Sequence, residues 1–213
     1  MTTRLWRLAR ALRRLGLVVP AVMLACDQPP AKEIGAAEAA LAQARASQAH
    51  RYAPERLKEA EAALDTARRK VEEKDYRSAL SSAMEAAERS RAAAQAAAAA
   101  KMVVRSAAEV ARAEVQAALD DVQAVRDEAA AAKIPQEAFA ELEPLAREIE
   151  AGVATVTAHL DAQELLEAQA AAAALKPQAA RLPALYRQAI ADWNAAHPKG
   201  RRGRTPPTAA RKR

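Results

Sequence analysis

Residues with reactive side chains are few and widely spaced in this sequence. The 213-residue chain has a single cysteine, Cys26, and three histidines, His50, His159 and His197. None of the histidines has the neighbouring cysteines, histidines or carboxylates that a metal site needs, so we interpret each as a helix-end or solvated residue. The serines lack the glycines of a nucleophile elbow, and no glycine-rich phosphate loop is present. The sequence therefore predicts no enzymatic activity, no cofactor, no metal and no small-molecule substrate.

Cys26 is the side chain whose surroundings do predict a chemistry. Five arginines and no acid precede an apolar run at residues 15–25, which ends at the cysteine. The run is shorter than the roughly 20 residues that span a bilayer, and it has the length of a signal-peptide core. Residues 23–26, Met-Leu-Ala-Cys, resemble a bacterial lipobox, with Met23 where leucine is usual. We expect residues 1–25 to be removed as a signal peptide.

Acylation of Cys26, with palmitate among the chains, would then hold the mature protein at a membrane without spanning it, since more than one chain makes anchoring stable. A lone cysteine has no partner for an intrachain disulfide. The expected location is the bacterial cell envelope, at the inner or the outer membrane and facing the periplasm.

Charge is distributed unevenly along the chain. The formal net charge is +6, but residues 1–25 and 198–213 contain five and seven basic residues and no acid, whereas residues 26–197 contain 21 basic and 27 acidic residues. Residues 198–213 have little to bury, which predicts a disordered tail. Its cations could contact an anionic surface such as lipid headgroups or a cell-wall polymer, or serve solubility alone. These cations are Lys199, Arg201, Arg202, Arg204, Arg211, Lys212 and Arg213.

The composition favours helices over strands. Alanine, the best helix former, supplies 63 of the 213 residues, whereas the chain has five glycines and 3% aromatic residues. Few large apolar side chains are available for a thick core. We therefore predict an all-α fold of elongated antiparallel hairpins or coiled coil, with long helices.

Prolines and charged clusters mark the predicted helix ends in the first half. A helix is expected to begin at Pro54, and the cluster at residues 72–76 to break it, with Asp75 as the N-cap of the next helix. No break then follows until Ile134; a continuous helix over this stretch would exceed fifty residues, and the sequence leaves its continuity open. Near its start, Leu80, Ala83, Met84 and Ala87 are expected to lie on one face of the helix.

The second half contains the strongest amphipathic stripe, which runs from Phe139 to Leu160. Pro144 is expected to kink or split this helix. Pro177 and Pro183 are expected to end the returning helix, leaving a short final helix around Trp193. We accordingly divide the mature chain into domains at 26–133 and 134–197, followed by the tail. The stripe positions are Phe139, Leu142, Ala146, Ile149, Val153, Val156 and Leu160.

Residues 31–101 resemble a family of bacterial lipoproteins called domain of unknown function 4398. The resemblance is carried by Cys26 after its signal, by Tyr-Ala-Pro-Glu at residues 52–55 and by Lys-Asp-Tyr at residues 74–76, followed by spaced alanines. It implies a tetratricopeptide-like helical hairpin and an envelope location. The family brings no activity, so the resemblance implies a fold and a location only.

These patterns together predict a membrane-anchored scaffold or protein-interaction module of the cell envelope. Its partners would be the membrane, an envelope protein or cell-wall polymer, and other copies of the chain through the helical seams. One alternative is a spacer like the murein lipoprotein, although Lys212 is not terminal here. Another is a cytosolic protein that binds nucleic acid through the basic tail, and a third is an adaptor that takes a peptide helix in a groove.

Overall fold

The computed structural model describes residues 28–198. Cys26 with its leader, and the tail cations from Lys199 to Arg213, lie outside the described residues. Within residues 28–198 the chain is all-α, as predicted, and contains six α-helices, one 3-10 helix and no strand. The helices are α1 (Ala31–Ala46), α2 (Ala49–Tyr52), α3 (Pro54–Glu72), α4 (Tyr76–Ala131), the 3-10 helix (Gln136–Phe139), α5 (Glu143–Asp161) and α6 (Leu165–Ala196).

The chain forms two compact units that meet in sequence between Ala100 and Lys101, inside α4. We call the described residues up to Ala100 the first unit and those from Lys101 the second unit. The predicted division at residue 133 falls on the turn after α4, within the second unit. The sequence shows no break between Tyr76 and Ile134 but leaves the continuity of the helix open, and the structure has one continuous helix, α4, of 56 residues.

The first unit packs α1, α2, α3 and the beginning of α4 mainly through alanine methyl groups. Leu41, Leu57 and Leu64 are the large side chains buried among them. Because an alanine methyl group is smaller than a leucine side chain, helices that pack through alanines can approach each other closely. The buried alanines of this core are Ala37, Ala44, Ala49, Ala53, Ala60, Ala63, Ala86, Ala87, Ala93 and Ala97.

At the start of α4 the four residues that were predicted to share one face differ in burial. Ala83 and Ala87 are buried, whereas Leu80 is 37% exposed and Met84 is 61% exposed. The helix instead turns Ala79 and Ala86 inward. At this end of α4 the buried positions up to Ala87 are all alanine, and the larger side chains of Leu80 and Met84 lie toward solvent. Insertion of a larger side chain into a packed interface is destabilising.

The second unit has a core of larger side chains from α4, the 3-10 helix, α5 and α6. Ile149, Leu182 and Tyr186 are fully buried in it, and α5 packs along α6. A Cβ atom built on Gly152 would lie 2.5 Å from a methyl carbon of Leu175, so this glycine allows α5 and α6 to approach. The remaining buried members are Val115, Val122, Val125, Ala129, Ile134, Phe139, Ala146 and Ala179.

The prolines divide into two groups. Pro54 and Pro144 lie in the first turns of α3 and α5, where the missing N–H costs nothing. Of the two predicted effects of Pro144, the split is observed, because the stretch from Phe139 is divided into the 3-10 helix and α5. Pro177 and Pro183 lie inside α6, which continues for 32 residues. The prediction of a short final helix is therefore wrong. Packing along α5 keeps α6 continuous even though each proline removes one backbone hydrogen bond.

Three helix ends use the same turn without glycine. Lys74, Lys133 and Gln163 have φ between 60° and 61°, in the left-handed region. At each, the N–H of the following residue donates to a carbonyl five residues earlier, and the N–H of the left-handed residue donates to one three residues earlier. This is the Schellman arrangement, in which glycine is usual. Asp75 then caps α4 by accepting from the Ser78 N–H at 3.2 Å, which confirms the predicted N-cap.

Candidate functional site

The residues that the sequence singles out for chemistry and those that the structure brings together are different. Cys26 and the seven tail cations lie outside residues 28–198, so the lipid anchor and the anionic contact remain predictions. Within the described chain, three features merit description as candidate sites. They are a polar cluster, an exposed apolar groove and an acidic groove, and all three lie in the second unit.

The polar cluster joins Arg126 of α4, Glu143 of α5 and Tyr186 of α6. Arg126 Nη2 donates hydrogen bonds to Glu143 Oε1 at 2.8 Å and to the Tyr186 hydroxyl oxygen at 2.7 Å. The Tyr186 hydroxyl in turn donates to Glu143 Oε1 at 3.1 Å. The Phe139 ring stacks on the Tyr186 ring, with centroids 5.2 Å apart. The guanidinium carbon also lies 5.0 Å from the Tyr186 centroid. One charged triangle therefore ties three helices together beside an aromatic pair.

Burial and hydrogen bonding fix the protonation states of this cluster. Burial raises the pKa of Tyr186, and this effect outweighs the opposing influence of Arg126. Burial lowers the pKa of Arg126, but the combined hydrogen bonds and charges of Tyr186 and Glu143 outweigh it and leave that pKa raised. At neutral pH the phenol is therefore neutral and the guanidinium is charged. Neither group can act as a general base in these states.

A cleft of about 410 Å³ adjoins the cluster. Arg126, Asp127, Phe139 and Glu143 lie on its walls, and Arg126 Nε is buried without a hydrogen-bond partner among the described residues. Because the cation and the carboxylate already bind each other, the cleft has no uncompensated charge from this pair. The arrangement fits a structural link better than a reaction centre.

The exposed apolar groove lies between α4 and α6. Met102, Val103 and Val110 of α4 are 73%, 69% and 55% exposed, and together with Ala107 they line a space of about 600 Å³. At one end Lys176 Nζ of α6 lies 2.5 Å from Glu114 Oε2. We call this surface the methionine groove. Adjacent exposed side chains of this size are typical of a surface that contacts another molecule.

The acidic groove lies where α6 crosses the 3-10 helix and has a volume of about 450 Å³. Leu185 and Trp193 of α6 form its apolar floor. Glu137, Glu141 and Asp192 lie on its walls, and among the described residues that line it none is basic. Asp192 accepts a hydrogen bond from Gln188 at 2.8 Å. Within residues 28–198 the carboxylates of Glu137 and Glu141 have no ion pair.

The histidines lie at helix ends, as predicted. His159 Nδ1 is 2.6 Å from Glu164 Oε2 across the turn from α5 to α6, and the His197 ring stacks on Trp193 with centroids 4.0 Å apart. His50 lies in the short helix α2 and is exposed. In the part of the chain that the structure describes, no three histidine, cysteine, aspartate or glutamate side chains lie close enough to hold a metal ion.

Sequence reasoning missed the polar cluster, although one signal was available. Arg126 follows Val122 by four residues, so it occupies the same helix face as the buried valines. A charged residue on a core face requires a buried partner. Its partners, however, lie 17 and 60 residues further along the chain, and helical periodicity alone does not identify them.

The fold places the chain among all-α proteins with long helices. Comparison with protein-family models, with curated proteins and with solved structures finds no match to this chain. In residues 28–198 no helix combines the length and the apolar character needed to cross a membrane.

Proposed function

We propose that this protein is a lipid-anchored scaffold of the bacterial cell envelope that holds a partner protein and catalyses no reaction. Acyl chains on Cys26 would attach it to the membrane, and the helical seams and exposed faces would provide protein contacts. In this proposal the helices pack as antiparallel hairpins with coiled-coil character. This protein and the partner protein that it holds are both located in the cell envelope.

The observation that carries the proposal is the methionine groove. Three large apolar side chains on one helix, each more than half exposed, cost solvation free energy unless another molecule covers them, at about 25 cal/mol per Å² of apolar surface. Methionine is an adaptable contact side chain because it is unbranched and polarisable. We propose that an amphipathic helix of an envelope protein occupies the groove, in the helix-in-groove mode.

Ion pairs between helices support a structural role for the polar side chains. Arg45 pairs with Glu61 at 2.6 Å and Arg68 with Glu38 at 2.7 Å, both between α1 and α3. Exposed pairs of this kind contribute only about 0.2 to 1 kcal/mol each, but they specify which helix faces meet. The Arg126 cluster does the same in the second unit.

The anchor is tested by mass spectrometry of the purified mature protein, with Cys26→Ala as the comparison. We expect an N-terminal peptide that begins at an acylated Cys26 in wild type and an unprocessed or soluble form in the variant. An intact Met1 end on protein that remains soluble after cell fractionation would contradict the anchor and favour the cytosolic alternative. A cell-wall peptide adduct near Lys212 after wall digestion would favour the murein-linked spacer.

The partner is tested by placing a photoreactive amino acid at Val103 in intact cells. The control carries the same group at Ala113, an exposed position on the same helix that does not line the groove. We expect one discrete adduct from Val103 that Met102→Glu and Val110→Glu abolish, and no such adduct from Ala113. Recovery of self-adducts alone, or of equal adducts from both positions, would contradict a heterologous partner.

A further inference from the structure

The acid excess of residues 28–198 is confined to the second unit. Residues 28–100 contain 12 basic and 11 acidic residues, whereas residues 101–198 contain 9 basic and 15 acidic residues. The seven cations of residues 199–213 therefore follow directly on the acidic unit. Within that unit, the acidic groove ends at Ala196 of α6, three residues before Lys199.

We propose that residues 199–213 bind in the acidic groove of their own chain. The cations would lie against Glu137, Glu141 and Asp192, which carry the groove's negative charge. The groove offers these cations two carboxylates that form no ion pair within residues 28–198. Charge-assisted hydrogen bonds from arginine to such carboxylates are the strong ones.

The apolar floor of the groove matches the middle of the same segment. Pro206, Pro207 and the adjacent alanines are its apolar residues, and Leu185, which is 42% exposed, with Trp193 offers them a surface. Proline-rich segments bind to aromatic-lined grooves at a low cost in entropy. His197 covers one side of the Trp193 ring, so the prolines would contact the other side or the ring edge.

The lengths are compatible with binding within one chain. The groove follows α6 from Ala196 back to Leu185, which is about 16 Å at a rise of 1.5 Å per residue. A segment of 15 residues reaches up to about 50 Å when extended. The segment begins with two glycines, Gly200 and Gly203, and glycine would allow the reversal of direction that the proposal requires without steric cost.

Binding of the tail in this groove has a functional consequence that goes beyond the anchored scaffold. The same cations would serve two competing sites, the groove and any external anionic surface. A polyanion would therefore release the tail and uncover Leu185 and Trp193. Binding of the tail within its own chain does not depend on acylation of Cys26.

The first test is carbodiimide cross-linking of the purified full chain in a nonionic detergent at low ionic strength. This reagent joins an amine to a carboxylate that it touches, and Lys212 is the informative amine because Lys199 lies close to the groove in sequence. We expect links from Lys212 to Glu137 or Glu141, and a several-fold loss of these links in 0.5 M salt, where screening shortens the range of attraction.

Isotope labelling distinguishes one chain from two. An equal mixture of unlabelled and nitrogen-15-labelled protein should give Lys212 links in which both peptides carry the same label. Mixed-label links at the statistical proportion would show that the tail binds a second copy and would overturn the proposal. Links spread evenly over Asp121, Glu148 and Glu150 would show unspecific attraction to the acidic unit and would overturn it as well.

The second test uses Trp193 as the reporter, in a Trp6→Phe background that leaves it as the single tryptophan. The groove variant Glu137→Gln, Glu141→Gln and Asp192→Asn should increase acrylamide quenching of Trp193 several-fold over the parent, because the tail no longer covers the ring. The matched control variant, Asp121→Asn, Glu148→Gln and Glu150→Gln, removes the same charge from the same unit and should leave quenching unchanged. Equal quenching in all three proteins would overturn the proposal.

Discussion

The two units of this protein solve the packing of helices in different ways. In the first unit the seams are mostly methyl groups, and the charges nearly balance; in the second unit isoleucine, leucine, tyrosine and phenylalanine fill the core, and acidic residues exceed basic ones. An alanine seam contributes little transfer free energy per residue but also costs almost no side-chain entropy on burial. The difference indicates that the first unit tolerates added volume poorly, whereas the second unit depends on a few large side chains.

The largest expected effect is in the second unit. Ile149 is fully buried, and Ile149→Ala removes three carbon atoms from its core. We expect the free energy of unfolding to fall by about 2 to 5 kcal/mol. Denaturant unfolding followed by Trp193 fluorescence, with Trp6→Phe as background, measures it. Val103→Ala serves as the control because Val103 is 69% exposed; equal losses in the two variants would contradict a core centred on Ile149.

The converse change probes the first unit. Ala60 is fully buried between helices, and Ala60→Leu inserts three carbon atoms where the backbones approach closely. Overpacking of this kind costs about 1 to 3 kcal/mol. Faster hydrogen exchange in α1 and α3 would report the loss locally. Ala62→Leu, at an exposed position two residues away, should leave exchange nearly unchanged, and an equal effect of both substitutions would show that the alanine seam is not close-packed.

The Arg126 cluster, a polar link between three helices of the second unit, provides the next contrast. Tyr186→Phe keeps the stacking on Phe139 but removes the hydroxyl that joins Arg126 to Glu143. We expect a loss of about 1 to 3 kcal/mol, because two partly buried charged groups lose a hydrogen-bond partner. As the comparison, Tyr76→Phe removes a phenol hydroxyl from a half-buried residue of the first unit and should cost less than about 0.5 kcal/mol.

The raised pKa of Tyr186 adds a pH dependence whose sign follows from linkage. The folded state holds this proton more tightly than the unfolded state, whose phenol has a pKa near 10.0. The resulting stability is fully present below pH 10 and is lost as the pH rises toward the folded-state pKa. As the pH rises above 10, the melting temperature of wild type, measured by thermal unfolding, should therefore fall more than that of Tyr186→Phe. Parallel pH profiles for the two proteins would show that Tyr186 does not titrate differently on folding.

The sequence predicts the features that depend on interactions between residues close together in the chain. The all-α class with long helices, the helix start at Pro54 and the cap at Asp75 depend on local propensity and capping, and all were predictable. The continuity of α6 through Pro183 depends on packing along α5, and the exposure of Met84 depends on the width of an alanine seam. Contacts between residues far apart in the chain decide both features, and helical periodicity carries no information about such contacts.

The candidate sites divide in the same way. Cys26 and the tail stand out because their signals are compositional and local, yet the structure describes neither. The Arg126 cluster and the two grooves are assembled from α4, the 3-10 helix, α5 and α6, and none of their members forms a sequence motif. A charged residue on an apolar helix face, such as Arg126, is the only signal among them that the sequence displays.

The smallest expected effect is a gain, and it tests whether the two units differ in packing alone. Lys74 ends α3 in the first unit and Lys133 follows α4 in the second, and both hold a left-handed backbone conformation, with φ of 60° and 61°. That conformation is strained for lysine and relaxed for glycine, although glycine costs more entropy on folding. Lys74→Gly and Lys133→Gly should each stabilise the protein by roughly 0.5 to 1 kcal/mol.

The control for these gains is Lys58→Gly, at an exposed position inside α3, where glycine should destabilise by about 1 kcal/mol. Thermal melts of the three variants at one pH give the comparison. A turn of this kind depends on backbone geometry and not on the side chains packed behind it, so the gains in the two units should be equal. A gain at Lys133 with a loss at Lys74 would mean that the alanine seam needs the lysine stem as packing material, which would extend the difference between the units from their cores to their turns.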